Sequence, residues 1–247
     1  MSLHHRFDGR EDAPVVVFSN SLGTTLELWD PQVASFTGAF RMLRYDQLGH
    51  GRSEVPPRPY TVEQLGAELL ALLDSLGLER VSFCGLSLGG AVGQWLGAHA
   101  PERIDRLVLA GTSAYFGPPE RWIERAAQVE AEGMGPVAEA TMARWFTPAF
   151  AGTAPYQDTL AATPAEGYIA CCNALTVWDF RSELLAVAAP TLVVVGADDP
   201  ATPPDQAEAI ADGIPGARLV VIPDAAHLVN VEQPEAFNRA VLDHLGQ

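Results

Sequence analysis

The stretch Val81-Ser82-Phe83-Cys84-Gly85-Leu86-Ser87-Leu88-Gly89-Gly90 constrains this chain more than any other. It reads as a β-strand that stops abruptly, a tight turn with one serine at its apex, and a helix from Gly89 to Ala100 that Pro101 ends. In Gly85-x-Ser87-x-Gly89 the glycines flank the serine because its strained backbone brings strand and helix too close for a Cβ. The serine oxygen then stands clear at the carboxyl edge of a sheet. There the N–H of Leu88 points as a helix start does, toward any oxyanion that develops beside the serine.

Such a turn needs a sheet around it, and the flanking sequence supplies one. Residues 3–8 form a short strand and reversal, and Val15-Val16-Val17-Phe18 is an unbroken apolar run suited to a strand buried on both faces. Arg41 to Tyr45, Ile104 to Ala110, Thr191 to Gly196 and Leu219 to Ile222 are further strand candidates. Between two of them, Thr61-Val62-Glu63-Gln64 caps a helix whose Leu65, Leu69, Leu72, Leu73 and Leu76 keep core-facing spacing until Gly77. Strand and helix in alternation predict an α/β fold with a doubly wound, mostly parallel sheet. The alternation fails after Gly111, where helical patches, prolines, Trp122, Trp145 and Trp178 crowd together. We therefore expect residues 1–112 and 186–247 to form the core and 113–185 a helical cap inserted into it. The cap aromatics suit either the lining of a small apolar pocket or the cap's own core.

Three positions fall at strand ends, where ligands sit in open α/β sheets. Ser87 is one; Asp198 and Asp199 follow the Thr191 strand; His227 follows the last strand. The order serine, aspartate, histidine suits nucleophilic catalysis, with His227 taking the serine proton and an aspartate holding the imidazole tautomer. His50, in the glycine-rich loop Gly49-His50-Gly51, reads instead as a hydrogen-bonding scaffold. The loop Ser19 to Thr24 also follows a strand, and the Leu22 N–H is expected to join that of Leu88 as an oxyanion donor. The set requires no metal and no cofactor.

Composition narrows the field further. The net charge of −16 argues against general affinity for nucleic acid or anionic membrane. All 15 basic residues are arginines, so Schiff-base, pyridoxal-lysine and P-loop lysine chemistry are excluded. The three cysteines lack disulfide or metal spacing, there is no apolar run near 18 residues, and no leader is recognisable; a soluble, cytoplasmic protein is expected.

Across its length the sequence resembles the α/β-hydrolase superfamily, and within it the 3-oxoadipate enol-lactonases of aromatic catabolism. The resemblance is carried by Ser19-Asn20-Ser21-Leu22-Gly23-Thr24, Gly49-His50-Gly51-Arg52-Ser53, the serine turn itself, Arg144-Trp145-Phe146-Thr147-Pro148, Tyr168 with Cys171-Cys172, and Asp199-Pro200-Ala201-Thr202-Pro203. It selects Asp199 over Asp198, a choice the physics of the residues leaves open. It implies ring opening of a five-membered enol-lactone bearing a carboxymethyl group, a small anionic substrate, through an acyl-enzyme on Ser87. An anion approaching a chain of charge −16 needs a local cation. Arg144 is the first expectation, then Arg121 or Arg125, with Ser21, Trp122 and Trp145 as further substrate contacts. A broad carboxylesterase or a cofactor-free haloperoxidase-like hydrolase would share the serine, histidine and aspartate. A dehalogenase would place aspartate at position 87 and a dienelactone hydrolase cysteine. A non-catalytic receptor of the same fold would have no use for the complete set.

Overall fold

A computed structural model describes residues 2–246. Among them a seven-stranded sheet runs in the order β1-β3-β2-β4-β5-β6-β7, from β1 (His5–Asp8), β2 (Val15–Ser19), β3 (Arg41–Tyr45), β4 (Val81–Leu86), β5 (Ile104–Ala110), β6 (Thr191–Gly196) and β7 (Arg218–Ile222). Every pairing is parallel except β1 with β3. The expected doubly wound, mostly parallel sheet is therefore the fold. Its central strands are apolar without alternation because helices cover both faces; all six residues of β4 and all six of β6 are buried.

The helices of the core are α1 (Asp30–Phe36), α2 (Val62–Ser75) and α3 (Leu88–His99), which follow β2, β3 and β4. Thr61 accepts a hydrogen bond from the Gln64 N–H and so caps α2, and Leu65, Leu69, Leu72 and Leu73 bury the stripe read from their spacing. After β5 the chain leaves the sheet for α4 (Pro119–Glu132), α5 (Met134–Trp145), α6 (Ala154–Ala161) and α7 (Ala165–Thr176). These four pack on one another, chiefly α4 on α7 and α5 on α6. The chain then returns to β6, followed by α8 (Pro204–Gly213), β7, α9 (Val229–Glu232) and α10 (Pro234–Leu245). No described helix is long and apolar enough to cross a membrane.

The reversal of strand direction of growth lies between β2 and β4, the two strands whose ends carry Ser19 to Thr24 and Ser87. From β4 the chain extends one way through β5, β6 and β7, and from β2 the other way through β3. That switch point is where an open α/β sheet leaves a crevice at its carboxyl edge.

Candidate active site

Ser87 has φ 57° and ψ −113°, a left-handed conformation that non-glycine residues rarely adopt. Its backbone is pinned from both sides. The Ser87 N–H donates to the Ala110 carbonyl at 2.9 Å, and the Ser87 carbonyl accepts from the Thr112 hydroxyl at 2.7 Å. A Cβ on Gly85 would collide with the Gly89 carbonyl, and one on Gly89 with the Ser19 carbonyl, so both glycines are required by close backbone approach. The Ser87 hydroxyl makes no hydrogen bond to a described residue and faces the cleft that His227 also lines.

His227 is buried in the loop after β7, and its Nδ1 lies 2.9 Å from Asp199 Oδ2. The aspartate is held in turn by N–H donors of Ala201 at 2.7 Å and Thr202 at 3.0 Å, and by the Thr202 hydroxyl at 2.8 Å. Burial alone would raise the Asp199 pKa. The adjacent imidazole and the Thr202 donors outweigh it, and the carboxyl ends below its ordinary range. An ionised Asp199 keeps the imidazole proton on Nδ1 and leaves Nε2 as the basic nitrogen. Asp198, the sequence alternative, is exposed, and it is Asp199 that bonds the imidazole.

The loop after β2 is fixed by its own side chains. Asn20 donates to the Tyr45 carbonyl at 2.7 Å, accepts from the Trp29 indole at 2.9 Å, and offers its carbonyl to the Gly89 N–H at 3.0 Å. His50 Nε2 accepts from the Gly23 N–H at 2.9 Å. With Gly23 and Gly89 so engaged, the Leu22 and Leu88 N–H groups are left without a protein acceptor among the described residues. Burial depresses the His50 pKa to about 4, so the ring is neutral and serves as an acceptor for this loop.

Above these groups lies a narrow cleft of about 50 Å³, its mouth open to solvent. Ser21, Leu22, Ser87 and His227 form its floor. The helices α4, α5 and α7 supply its walls through Trp122, Trp145 and Tyr168, and through three guanidiniums, Arg121, Arg125 and Arg144. Arg125 donates to the Thr141 and Tyr168 hydroxyls, both at 3.3 Å. Arg121 lies over the Trp122 ring, 5.7 Å from its centroid. Arg144 is half-buried, and no described carboxylate pairs with it. Burial pulls its pKa below the usual value while Tyr168 and Asp199 partly restore it.

A family profile for the alpha/beta hydrolase fold matches residues 14–234. The chain belongs to the α/β-hydrolase family. Among curated relatives, 3-oxoadipate enol-lactonase 2 of Acinetobacter baylyi is 41% identical over 246 residues, covering 98% of this chain and 92% of its own. RutD of Stutzerimonas stutzeri, provisionally named a carbamate hydrolase, is 30% identical, covering 99% of this chain and 97% of its own. Among solved structures, the enol-lactonase from Burkholderia xenovorans superposes with a TM-score of 0.97 at 43% identity, covering 99% of this chain and 96% of that one. This chain is a hydrolase.

The hydrolase brings Ser87, His227, Ser21, Leu22, Arg121, Arg125, Arg144, Trp122 and Trp145 to the cleft, with Asp199 bonded to His227; Leu88, His50 and Asp198 do not line it, and Trp178 instead stacks on Phe180 as part of the packing. Thr141 and Phe116 also line the cleft and carried no such signal, because each is a common residue whose orientation is set by packing; Tyr168 and Thr202, named only within the stretches that carry the resemblance, line it too. Thr202 alone could have been suspected, sitting three residues after Asp199 where its hydroxyl closes a turn on the carboxylate.

Proposed function

We propose that this hydrolase opens 3-oxoadipate enol-lactone, or a near relative of it, with Ser87 as nucleophile. Ser87 Oγ attacks the ring carbonyl as His227 Nε2 takes its proton, and Asp199 stabilises the imidazolium. The Leu22 and Leu88 N–H groups receive the oxyanion, each contributing on the order of 3 kcal/mol. Collapse breaks the bond to the ring oxygen, which departs as an enol protonated from His227 and tautomerises to a ketone. Because an enolate is a better leaving group than an alkoxide, the serine, histidine and aspartate suffice without a Lewis acid. Water then adds to the Ser87 ester with His227 again as base and releases the acid. Residues 113–185 act as the substrate-selecting cap.

The observation that carries this reading is the unpaired Arg144 in the wall of a cleft that opens onto Ser87. A neutral ester has no use for a half-buried, unpaired cation, whereas the carboxymethyl group of the lactone supplies its counter-charge. The kinship to two chains named as enol-lactonases supports the same substrate class.

The test follows ultraviolet loss of freshly generated enol-lactone with the wild type and Ser87→Ala, beside p-nitrophenyl acetate and a simple carbamate. Fast, serine-dependent loss of the lactone with slow turnover of the other two is the expected result. Turnover of the ester or carbamate alone would remove the lactone as substrate. Arg144→Ala is expected to raise KM; if Arg144→Ala and Arg121→Ala both left it unchanged, the carboxylate-binding role would be lost.

A further inference from the structure

Ring opening changes the charge of the ligand. On the reading above, on which this inference rests, the lactone arrives with one carboxylate and leaves with two, since its ester carbonyl becomes an acid with one oxygen from water. A site shaped for the substrate alone would need one cation. This cleft presents three, and its lining contains no carboxylate side chain.

The three guanidiniums come from two helices. Arg121 and Arg125 stand four residues apart on α4, one turn from each other on the same helix face. Like charges so placed repel, and no described carboxylate forms an ion pair with either of them. Their neighbours are neutral: Arg125 reaches the Tyr168 and Thr141 hydroxyls, and Arg121 the Trp122 ring. Arg144 comes from a different helix, α5. It is the penultimate residue of α5, and the carbonyl of the next residue, Trp145, accepts from the Leu228 N–H at 3.0 Å, beside His227. Tyr168 is hydrogen-bonded to Arg125 and within electrostatic reach of Arg144.

We propose that the cleft holds two anion positions, one at Arg144 on α5 and one at the Arg121–Arg125 pair on α4, and so binds linear dicarboxylates. The ring-opened product is such a dicarboxylate, and it competes with its own precursor until it is consumed by a following step. Selectivity comes from the second carboxylate, since the protein's overall charge of −16 repels a dianion at long range and only the local guanidiniums favour it.

The experiment uses the wild-type protein with two unreactive acids of equal chain length, adipate and hexanoate, at fixed ionic strength. Dissociation constants come from calorimetry, and mode of inhibition from the lactone or, should that not turn over, from p-nitrophenyl acetate. Adipate is expected to bind at least about tenfold more tightly than hexanoate, the effect of one added charge-assisted contact, and to inhibit competitively. Arg125→Gln and Arg144→Gln, made separately and checked for native circular dichroism, are each expected to bring adipate down to the hexanoate value. Equal binding of the two acids by the wild type, or an adipate preference that survives both substitutions, overturns the proposal. If the lactone is not a substrate and adipate is still preferred and competitive, the substrate reading fails and the two anion positions stand. Lactone turnover with no adipate preference gives the reverse.

Discussion

Glu232 Oε1 accepts two hydrogen bonds from Thr147, from its N–H at 2.9 Å and its hydroxyl at 2.7 Å. The other carboxylate oxygen, Oε2, accepts from the Ala226 N–H at 2.6 Å. Thr147 lies just past α5, which carries Arg144, and Ala226 immediately precedes His227. One side chain therefore ties the arginine-bearing helix to the histidine loop. In Glu232→Gln the amide NH₂ can replace only one oxygen, and whichever way it turns it meets an N–H or hydroxyl donor. We expect kcat to fall about tenfold or more with a smaller change in KM, and Glu232→Ala to cost about 1–3 kcal/mol of stability in urea unfolding for each donor left buried and unpaired. A Glu232→Gln enzyme with unchanged kcat would show that the tie is structural only.

Asp199 and its exposed neighbour Asp198 give opposite expectations. Asp199→Asn should reduce kcat about a thousandfold or more, because an amide no longer holds the imidazole proton on Nδ1. Asp198→Asn should stay within about twofold, as for a solvated carboxylate away from the site. Asp199 also makes stability depend on acid. The Asp199 carboxyl is held below its ordinary range in the fold, so its contribution to stability is full above the unfolded pKa and disappears as pH falls through the folded one. Steady-state kinetics on both variants decide the first point; wild-type kcat in Asp199→Asn would remove it from the mechanism.

His50 makes folding sensitive to mild acid. Its pKa falls from 6.5 in the unfolded chain to about 4 in the fold, because burial disfavours the imidazolium. Between these values the unfolded state binds the proton that the folded state refuses. Stability is thus present above pH 6.5 and lost as pH drops toward 4, by about 3 kcal/mol over the window. His50→Gln keeps an acceptor for the Gly23 N–H without titrating. The difference between wild-type and variant urea midpoints should vary with pH across this window; a constant difference would mean that the ring is not held neutral.

Helix α7 meets the loop that carries His50 at a pair of glycines. A Cβ on Gly167 of α7 would run into the Gly49 carbonyl in the loop that carries His50. Gly167→Ala is therefore expected to push α7 off that loop and cost about 1–3 kcal/mol, although alanine favours a helix by roughly 1 kcal/mol over glycine. Thermal unfolding measures the sign. A stabilised Gly167→Ala protein would show that the contact is slack.

Local sequence determined the elements because each rests on spacing within one segment. The leucines of α2, the unbroken apolar strands and the glycines around Ser87 announce buried faces and a backbone too crowded for side chains. Their alternation was enough for a doubly wound sheet, and the rule that ligands gather at its carboxyl edge drew Ser87, Leu22 and His227 to one place. Only the tertiary structure decided what depends on contacts between distant segments. It buries Asp199 against His227 while leaving Asp198 in solvent, a difference of one residue that the direction of the chain after β6 controls. It turns Arg121, Arg125 and Arg144 from charges on two helices into the wall of one cleft, with Tyr168 bonded to Arg125. Spacing tells which face of a helix is apolar, but where its polar residues meet those of another helix is set by how α4, α5 and α7 pack together above the sheet.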